Sequence, residues 1–144
     1  MGYELSIQKN KDISFDNYNE NDDLFQIVSN ESKLRLNYKI DYPGEIIRLV
    51  GTKFYENNKN NCQMCINFVK TDLHEFYKSK KEESFIKVVF AIRDIISDLS
   101  YMFSECSSLV SIDNLCNLNF NNITNLSYMF FGCSSLTSLS DISE

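Results

Sequence analysis

The sequence predicts an α+β chain. An antiparallel β-rich N-terminal domain, residues 1–90, continues into a short solenoid of parallel strands and short helices, residues 91–144. Three observations lead there. Residues 33–40, Lys33-Leu34-Arg35-Leu36-Asn37-Tyr38-Lys39-Ile40, alternate polar and apolar, the period of a half-buried antiparallel strand. Residues 97–117 recur as residues 124–144 at an offset of 27, with ten of 21 positions identical, where chance gives about one or two. The chain has 144 residues, 43% of them hydrophobic. That is enough for one ordinary domain, or for two small units sharing a core, and too apolar for a wholly disordered chain.

Taken in order, residues 3–30 hold a further strand or two with poor periodicity, and residues 33–40 form the alternating strand. Pro43-Gly44 marks a turn. Residues 45–51 carry paired apolar residues, as in a strand buried on both faces. Residues 57–61 are rich in Asn, which tolerates left-handed backbone and bonds its own main chain, so they read as a turn. Residues 63–69 follow as a strand with Met64, Ile66 and Phe68 on one face. Residues 71–81 suit a short helix capped by Thr71, with Leu73, Phe76 and Tyr77 on one side. Residues 85–90 are a last apolar strand.

Each repeat copy has two halves. Leu99, Met102 and Phe103 share one helical face, as do Leu126, Met129 and Phe130. Asp98 and Asn125 suit N-caps, and Gly132 suits a helix stop. The first copy has Glu105 in place of that glycine. Leu109, Ile112 and Leu115, and then Leu136, Leu139 and Ile142, have the L-x-x-L spacing of a leucine-rich-repeat rung. Stepping the phase back by 27 reaches Phe85 and Val88, so residues 85–90 are expected to be a rung zero that joins the two halves.

The run Ile123-Thr124-Asn125-Leu126-Ser127-Tyr128-Met129-Phe130, then Gly132-Cys133-Ser134-Ser135-Leu136, resembles the BspA-like leucine-rich repeat, whose signature is M-F-x-G-C-S-S-L. The resemblance covers about residues 92–144. It departs at Glu105, and again at residues 117–122, where Phe120 replaces the usual Trp as anchor. The resemblance implies a right-handed solenoid with a parallel sheet and a role in adhesion or protein binding. Residues 46–68 also look like the β-rich module that precedes such repeats in some multidomain proteins.

The net charge of −6 argues against nucleic acid, which needs a basic patch. The one basic run, Lys78, Lys80 and Lys81, is followed at once by Glu82 and Glu83 and reads as solvated. No apolar stretch reaches membrane-spanning length, and no signal peptide opens the chain. A cytoplasmic location is the default expectation, and the cell surface the alternative if an export signal lies elsewhere. The start Met1-Gly2 fits a myristoylation pattern poorly, because Tyr3 and Glu4 follow. The sequons at Asn30, Asn122 and Asn125 are what Asn-rich sequence produces by chance.

Cys62-Gln63-Met64-Cys65 is a CxxC, the spacing by which a tight turn delivers two thiolates to one zinc ion or forms a redox pair. On a strand, residues three apart face opposite sides, and structural cysteines are the expectation. Cys106 and Cys133 hold equivalent repeat positions and are expected to stack as apolar neighbours, within reach of a disulfide. His74, the only histidine, sits among polar residues without a paired nucleophile. Four glycines cannot build a phosphate cradle. No cofactor, metal or catalytic residue is therefore expected. Ser111, Asp113, Ser138 and Ser140 flank the rung residues and are the candidate partner-binding positions. The segment ends at Glu144 inside a rung with nothing to cap it, as expected of a fragment or of an end that self-associates through its last rung. The function expected is a non-catalytic protein–protein interaction module with an unidentified protein partner. A small metal- or redox-active domain and a surface adhesin fragment are the alternatives.

Overall fold

The alternation in residues 31–39 fixes the centre of the fold. In a computed structural model that describes residues 31–139, strand β1 (Glu31–Lys39) buries Leu34, Leu36 and Tyr38 completely and turns Lys33, Arg35, Asn37 and Lys39 the other way. The expectations for residues 3–30, Ser140 and Ile142 lie outside the described residues. The other elements are β2 (Ile46–Arg48), α1 (Thr52–Asn58), β3 (Cys62–Ile66), β4 (Val69–Asp72), β5 (Phe76–Lys78), β6 (Phe85–Arg93), β7 (Leu109–Asp113) and β8 (Ser138–Leu139). Six strands form one mixed sheet in the order β4-β3-β6-β1-β7-β8, and β2 pairs with β5 beside it. Every pairing is antiparallel except β7 with β8.

One face of the sheet carries the core. Leu34, Leu36 and Tyr38 stand opposite Phe90, Val88 and Ile86 of β6, which in turn flank Met64 and Ile66 of β3. Each such side chain contributes roughly 1.5–3 kcal/mol when fully buried. The Tyr38 hydroxyl, also buried, donates to the Leu49 carbonyl at 2.7 Å, so its polar end has a partner. Burial pushes the Tyr38 phenol well above its ordinary pKa. Phe54 of α1 meets Phe90 edge-on, Phe90 meets Phe103 the same way, and Phe103 stacks on Phe130. This row of rings joins the helix, the sheet and both repeat copies.

The α+β solenoid expected from the sequence is not what forms. The described residues are mostly β, with one α-helix and one mixed six-stranded sheet, and no solenoid is found. Three local reasons account for the difference. First, residues 71–81 are not helical: Tyr77 pairs with Ile47 in the β2–β5 ribbon. Glu75 meets Arg48 at 2.7 Å, and the Arg48 guanidinium lies over the Phe76 ring. These tertiary partners outweigh a weak local helix preference. Second, the strand expected over 63–69 turns back on itself. Asn67 and Phe68 both take positive φ, 45° and 70°, making a two-residue hairpin between β3 and β4. The Asn67 side chain accepts from the Lys87 N–H at 2.9 Å and secures that turn. Third, β6 does not stack as a rung zero. β1 lies between it and β7, and Phe85 is exposed. The one helix, α1, falls in a stretch without a clear apolar stripe and is held by buried Phe54.

Gly51 precedes α1 and lies against the first repeat copy. Its N–H donates to the Met102 carbonyl at 2.9 Å. A Cβ at Gly51 would run into the Tyr101 carbonyl oxygen, which is backbone and cannot swing aside. Gly51→Ala is therefore expected to cost about 1–3 kcal/mol or more, measured as a lowered urea midpoint. An unchanged midpoint would show that this contact does not hold the helix to the repeat.

Candidate functional site

The two repeat copies meet through their backbones. The N–H groups of Leu99, Tyr101 and Phe103 donate to the carbonyls of Asn125, Ser127 and Met129 at 2.9, 3.0 and 2.9 Å. Glu105 donates to Phe131 in the same series. The intervening N–H groups bond locally: Met102 to Leu99, Ser104 to Tyr101 and Cys106 to Phe103. Residues 99–106 are thus a run of tight turns rather than a helix. Tyr101 and Glu105 take positive φ, 60° and 63°, and Tyr128 and Gly132 do the same in the second copy at 57° and 74°. Every second N–H points along the stacking direction, so it is lost to an α-helix. Leu99, Met102 and Phe103 still face inward, as their spacing required, by another backbone route.

The presumed N-caps have an equivalent job. Asp98 Oδ1 accepts from the Ser100 N–H at 2.9 Å, and Asn125 Oδ1 from the Ser127 N–H at 3.0 Å. Hydrogen bonds from the Ser100 hydroxyl and N–H hold the Asp98 carboxyl below its ordinary range. Tyr101 stacks on Tyr128 at 5.1 Å between ring centroids, with Lys53 over the Tyr101 ring. β7 and β8 continue the same register, Ser111 opposite Ser138 and Ile112 opposite Leu139.

The first copy lies between Gly51 and the second copy, whereas the outer side of the second meets no further strand or turn among the described residues. Leu99 is 1% exposed and its twin Leu126 is 45%. Tyr128, Phe131 and Leu139 are exposed as well, and Phe120 stands exposed in the preceding loop. The N–H groups of Leu126, Tyr128, Phe130 and Gly132 correspond to the four that join the copies. None of them finds an acceptor among the described residues. The outer side of the second copy is therefore a row of donors set among exposed apolar side chains. Sequence reasoning expected an uncapped last rung but missed this row of N–H groups at residues 126–132. The signal was present in the identity of Tyr101 and Tyr128, but a helical reading buries every N–H within its own turn.

Of the candidate partner-binding residues, Ser111, Asp113 and Ser138 share the sheet face opposite the core. Ser111 accepts from the Asn37 amide at 2.9 Å, Asp113 stands opposite Arg35, and Ser138 is exposed. Ser140 lies outside the described residues. Cys62 and Cys65 sit on β3 with Cys62 in the core cluster and Cys65 on the other side of the sheet, so the two thiols cannot share one ion. Burial pushes the Cys65 thiol up to about 11, against an opposing hydrogen bond from the Phe68 backbone and the charge of Lys70. Cys106 and Cys133 are free thiols at stacked positions. Burial, and secondarily the nearby Cys133, raises the Cys106 pKa well above its ordinary value. Burial lifts that of Cys133 to about 11, with a backbone hydrogen bond from Cys106 opposing. His74 is exposed and bonded to the Thr71 hydroxyl at 2.8 Å. Among the described residues no three His, Cys, Asp or Glu side chains come together as a metal site. No described helix is long and apolar enough to cross a membrane. An open cleft of about 610 Å³ lies between the end of α1 and the β3–β4 hairpin, lined by Lys59, Asn61, Gln63, Lys70, Asp72 and Arg93.

No family model matches the chain, and no curated protein or solved structure matches it either. The likeness of residues 92–144 to BspA-like repeats therefore rests on those residues alone.

Two expectations follow from the stacked copies. Glu105→Gly relieves a left-handed side chain at the position where the second copy already has glycine. It should stabilise the fold by up to about 1 kcal/mol, whereas Asp98→Ala should cost about 1 kcal/mol and Asp98→Asn much less, all read from urea midpoints. The raised thiols give a pH dependence. Their folded pKa values exceed the ordinary value, so the stability they add is whole below about pH 9 and falls as pH rises through about 11. Cys133→Ala should lose less stability than the native chain between pH 8 and pH 10.5.

Proposed function

We propose that this chain is a non-catalytic protein–protein interaction module whose contact surface is the open edge of the second repeat copy. The observation that carries this reading is the row of four backbone donors at Leu126, Tyr128, Phe130 and Gly132, flanked by exposed Leu126, Tyr128 and Phe131. Backbone donors that meet no acceptor among the described residues, set beside apolar surface, favour a polypeptide that supplies carbonyl oxygens and apolar side chains together. The meeting of the first copy with the second, inside this same chain, is an instance of that chemistry. The resemblance of residues 92–144 to repeats used in adhesion and protein binding supports the same reading.

The edge also bears on self-association. Two second copies brought together symmetrically would set donors against donors, because their matching carbonyls already accept from the first copy. A different polypeptide satisfies the edge better than a second molecule of this one.

The test is a paired capture experiment with Tyr128→Asp/Phe131→Asp. Both residues are exposed, and the change removes the Tyr128 ring from Tyr101 and Phe131, so it should cost about 1–3 kcal/mol and leave the chain folded while abolishing retention of the partner that the native chain captures. Amide exchange at the four donors should slow when that partner is added. A partner that the double variant holds as tightly as the native chain does would overturn the reading.

A further inference from the structure

Each repeat copy has a donor side and an acceptor side. The carbonyls of Asn125, Ser127, Met129 and Phe131 all turn toward the first copy, where they accept from Leu99, Tyr101, Phe103 and Glu105. The N–H groups of Leu126, Tyr128, Phe130 and Gly132 meet no acceptor among the described residues. The carbonyls of those same residues bond locally, accepting from the N–H groups of Met129, Phe131, Cys133 and Ser134. Over residues 126–132 the outer edge therefore offers donors and no acceptors. An ordinary strand shows N–H and C=O groups in turn along each edge. Laid here, it would turn half of its facing groups, the N–H groups, toward a side with nothing to accept them. The side chains add a second constraint. The copies run parallel, with Asp98 opposite Asn125 and Ile112 opposite Leu139. In that register Tyr101 stacks on Tyr128 with the ring planes 15° apart, and Phe103 on Phe130 with the planes 12° apart. Phe103 is enclosed, whereas Tyr128 is 59% exposed and Phe130 is half-buried.

We propose that this edge takes, in parallel register, a segment of another polypeptide whose carbonyls all face one side and whose side chains follow the pattern Leu-x-Tyr-x-Phe. This rests on the reading of the edge as a protein-contact surface and narrows it to one class of partner. Such a segment already fills the equivalent edge once. Residues 125–131, Asn125-Leu126-Ser127-Tyr128-Met129-Phe130-Phe131, meet the donors of the first copy with their carbonyls and its rings with theirs. A partner of the same make sets its carbonyls against Leu126, Tyr128, Phe130 and Gly132 and lays one ring on Tyr128 and a second on Phe130. The backbone then discriminates against ordinary strands, and the ring stacks discriminate against one-sided segments that lack aromatic residues at this spacing. An intact second molecule of this chain does not qualify, because its carbonyls at residues 125–131 are already taken. The partner must arrive with its acceptor side open.

A synthetic peptide of residues 123–132 supplies both the carbonyls and the rings with its acceptor side open. Its titration into the full chain, followed by backbone amide chemical shifts, is the test. The expected result is saturable shifts at the N–H groups of Leu126, Tyr128, Phe130 and Gly132, lost when the full chain carries Tyr128→Asp/Phe131→Asp. The same peptide with Tyr128→Thr and Phe130→Thr should bind about tenfold more weakly or worse; equal binding would show that the rings select nothing and would overturn the proposal. An alternating Thr-Val peptide of the same length is the second probe. If it shifts the four amides as readily as the first peptide, the edge accepts an ordinary strand: the contact-surface reading stands and the one-sided partner falls. No shift at these amides with the peptide of residues 123–132 also overturns the one-sided partner, and the capture experiment then decides the contact-surface reading separately.

Discussion

Everything described here hangs on β1. It is hydrogen-bonded along both edges, through nine positions to β6 and through four to β7, and its one apolar face holds three side chains with no exposure at all. A slip of one residue would turn Leu34, Leu36 and Tyr38 outward and bring Lys33 and Arg35 inward. Register is thus fixed by the cost of burying cations. The Tyr38 hydroxyl, bonded to the Leu49 carbonyl, then ties the strand to the segment leading into α1. Through β6 the strand holds the β3–β4 hairpin, and through β7 it holds the repeat. One strand therefore organises two parts of the chain with quite different sequence character.

What could be read in advance was whatever depends on side chains alone. The alternation of residues 33–40 named the strand and its inward face. The offset of 27 named the partners that stack, including Ser111 with Ser138 and Phe103 with Phe130. What could not be read was the backbone route. Leu99, Met102 and Phe103 face inward from a helix or from successive tight turns alike, and the choice rests on where the N–H groups go. An isolated helix of that length gains little, whereas the turns give four N–H groups to the neighbouring copy. The Asn67-Phe68 hairpin was hidden for a related reason: Phe rarely takes positive φ, so the dipeptide does not look like a turn. The β2–β5 ribbon was hidden because Arg48, Glu75 and Phe76 only meet once the chain has folded.

The cysteines make the same point about chemistry. Spacing alone offered Cys62 and Cys65 as a pair, and the strand puts the sheet between them. Position in the repeat offered Cys106 and Cys133 as neighbours, and they are neighbours, but burial keeps their thiols protonated over the neutral range. A motif gives the distance along the chain. The element it falls on decides the direction of each side chain, and burial decides its charge.

The duplicated segment has two environments for one set of side chains. Leu99 and Leu126, or Tyr101 and Tyr128, are identical residues, one nearly enclosed or flanked and one bare. The inner copy is under the heavier constraint, because almost any change there leaves a void or a clash. The outer copy tolerates bulk that the inner one cannot hold: buried Ser104 has as its counterpart exposed Phe131. One sequence pattern used twice thus yields an inner copy bounded on both sides and an outer copy whose side chains stand at the surface.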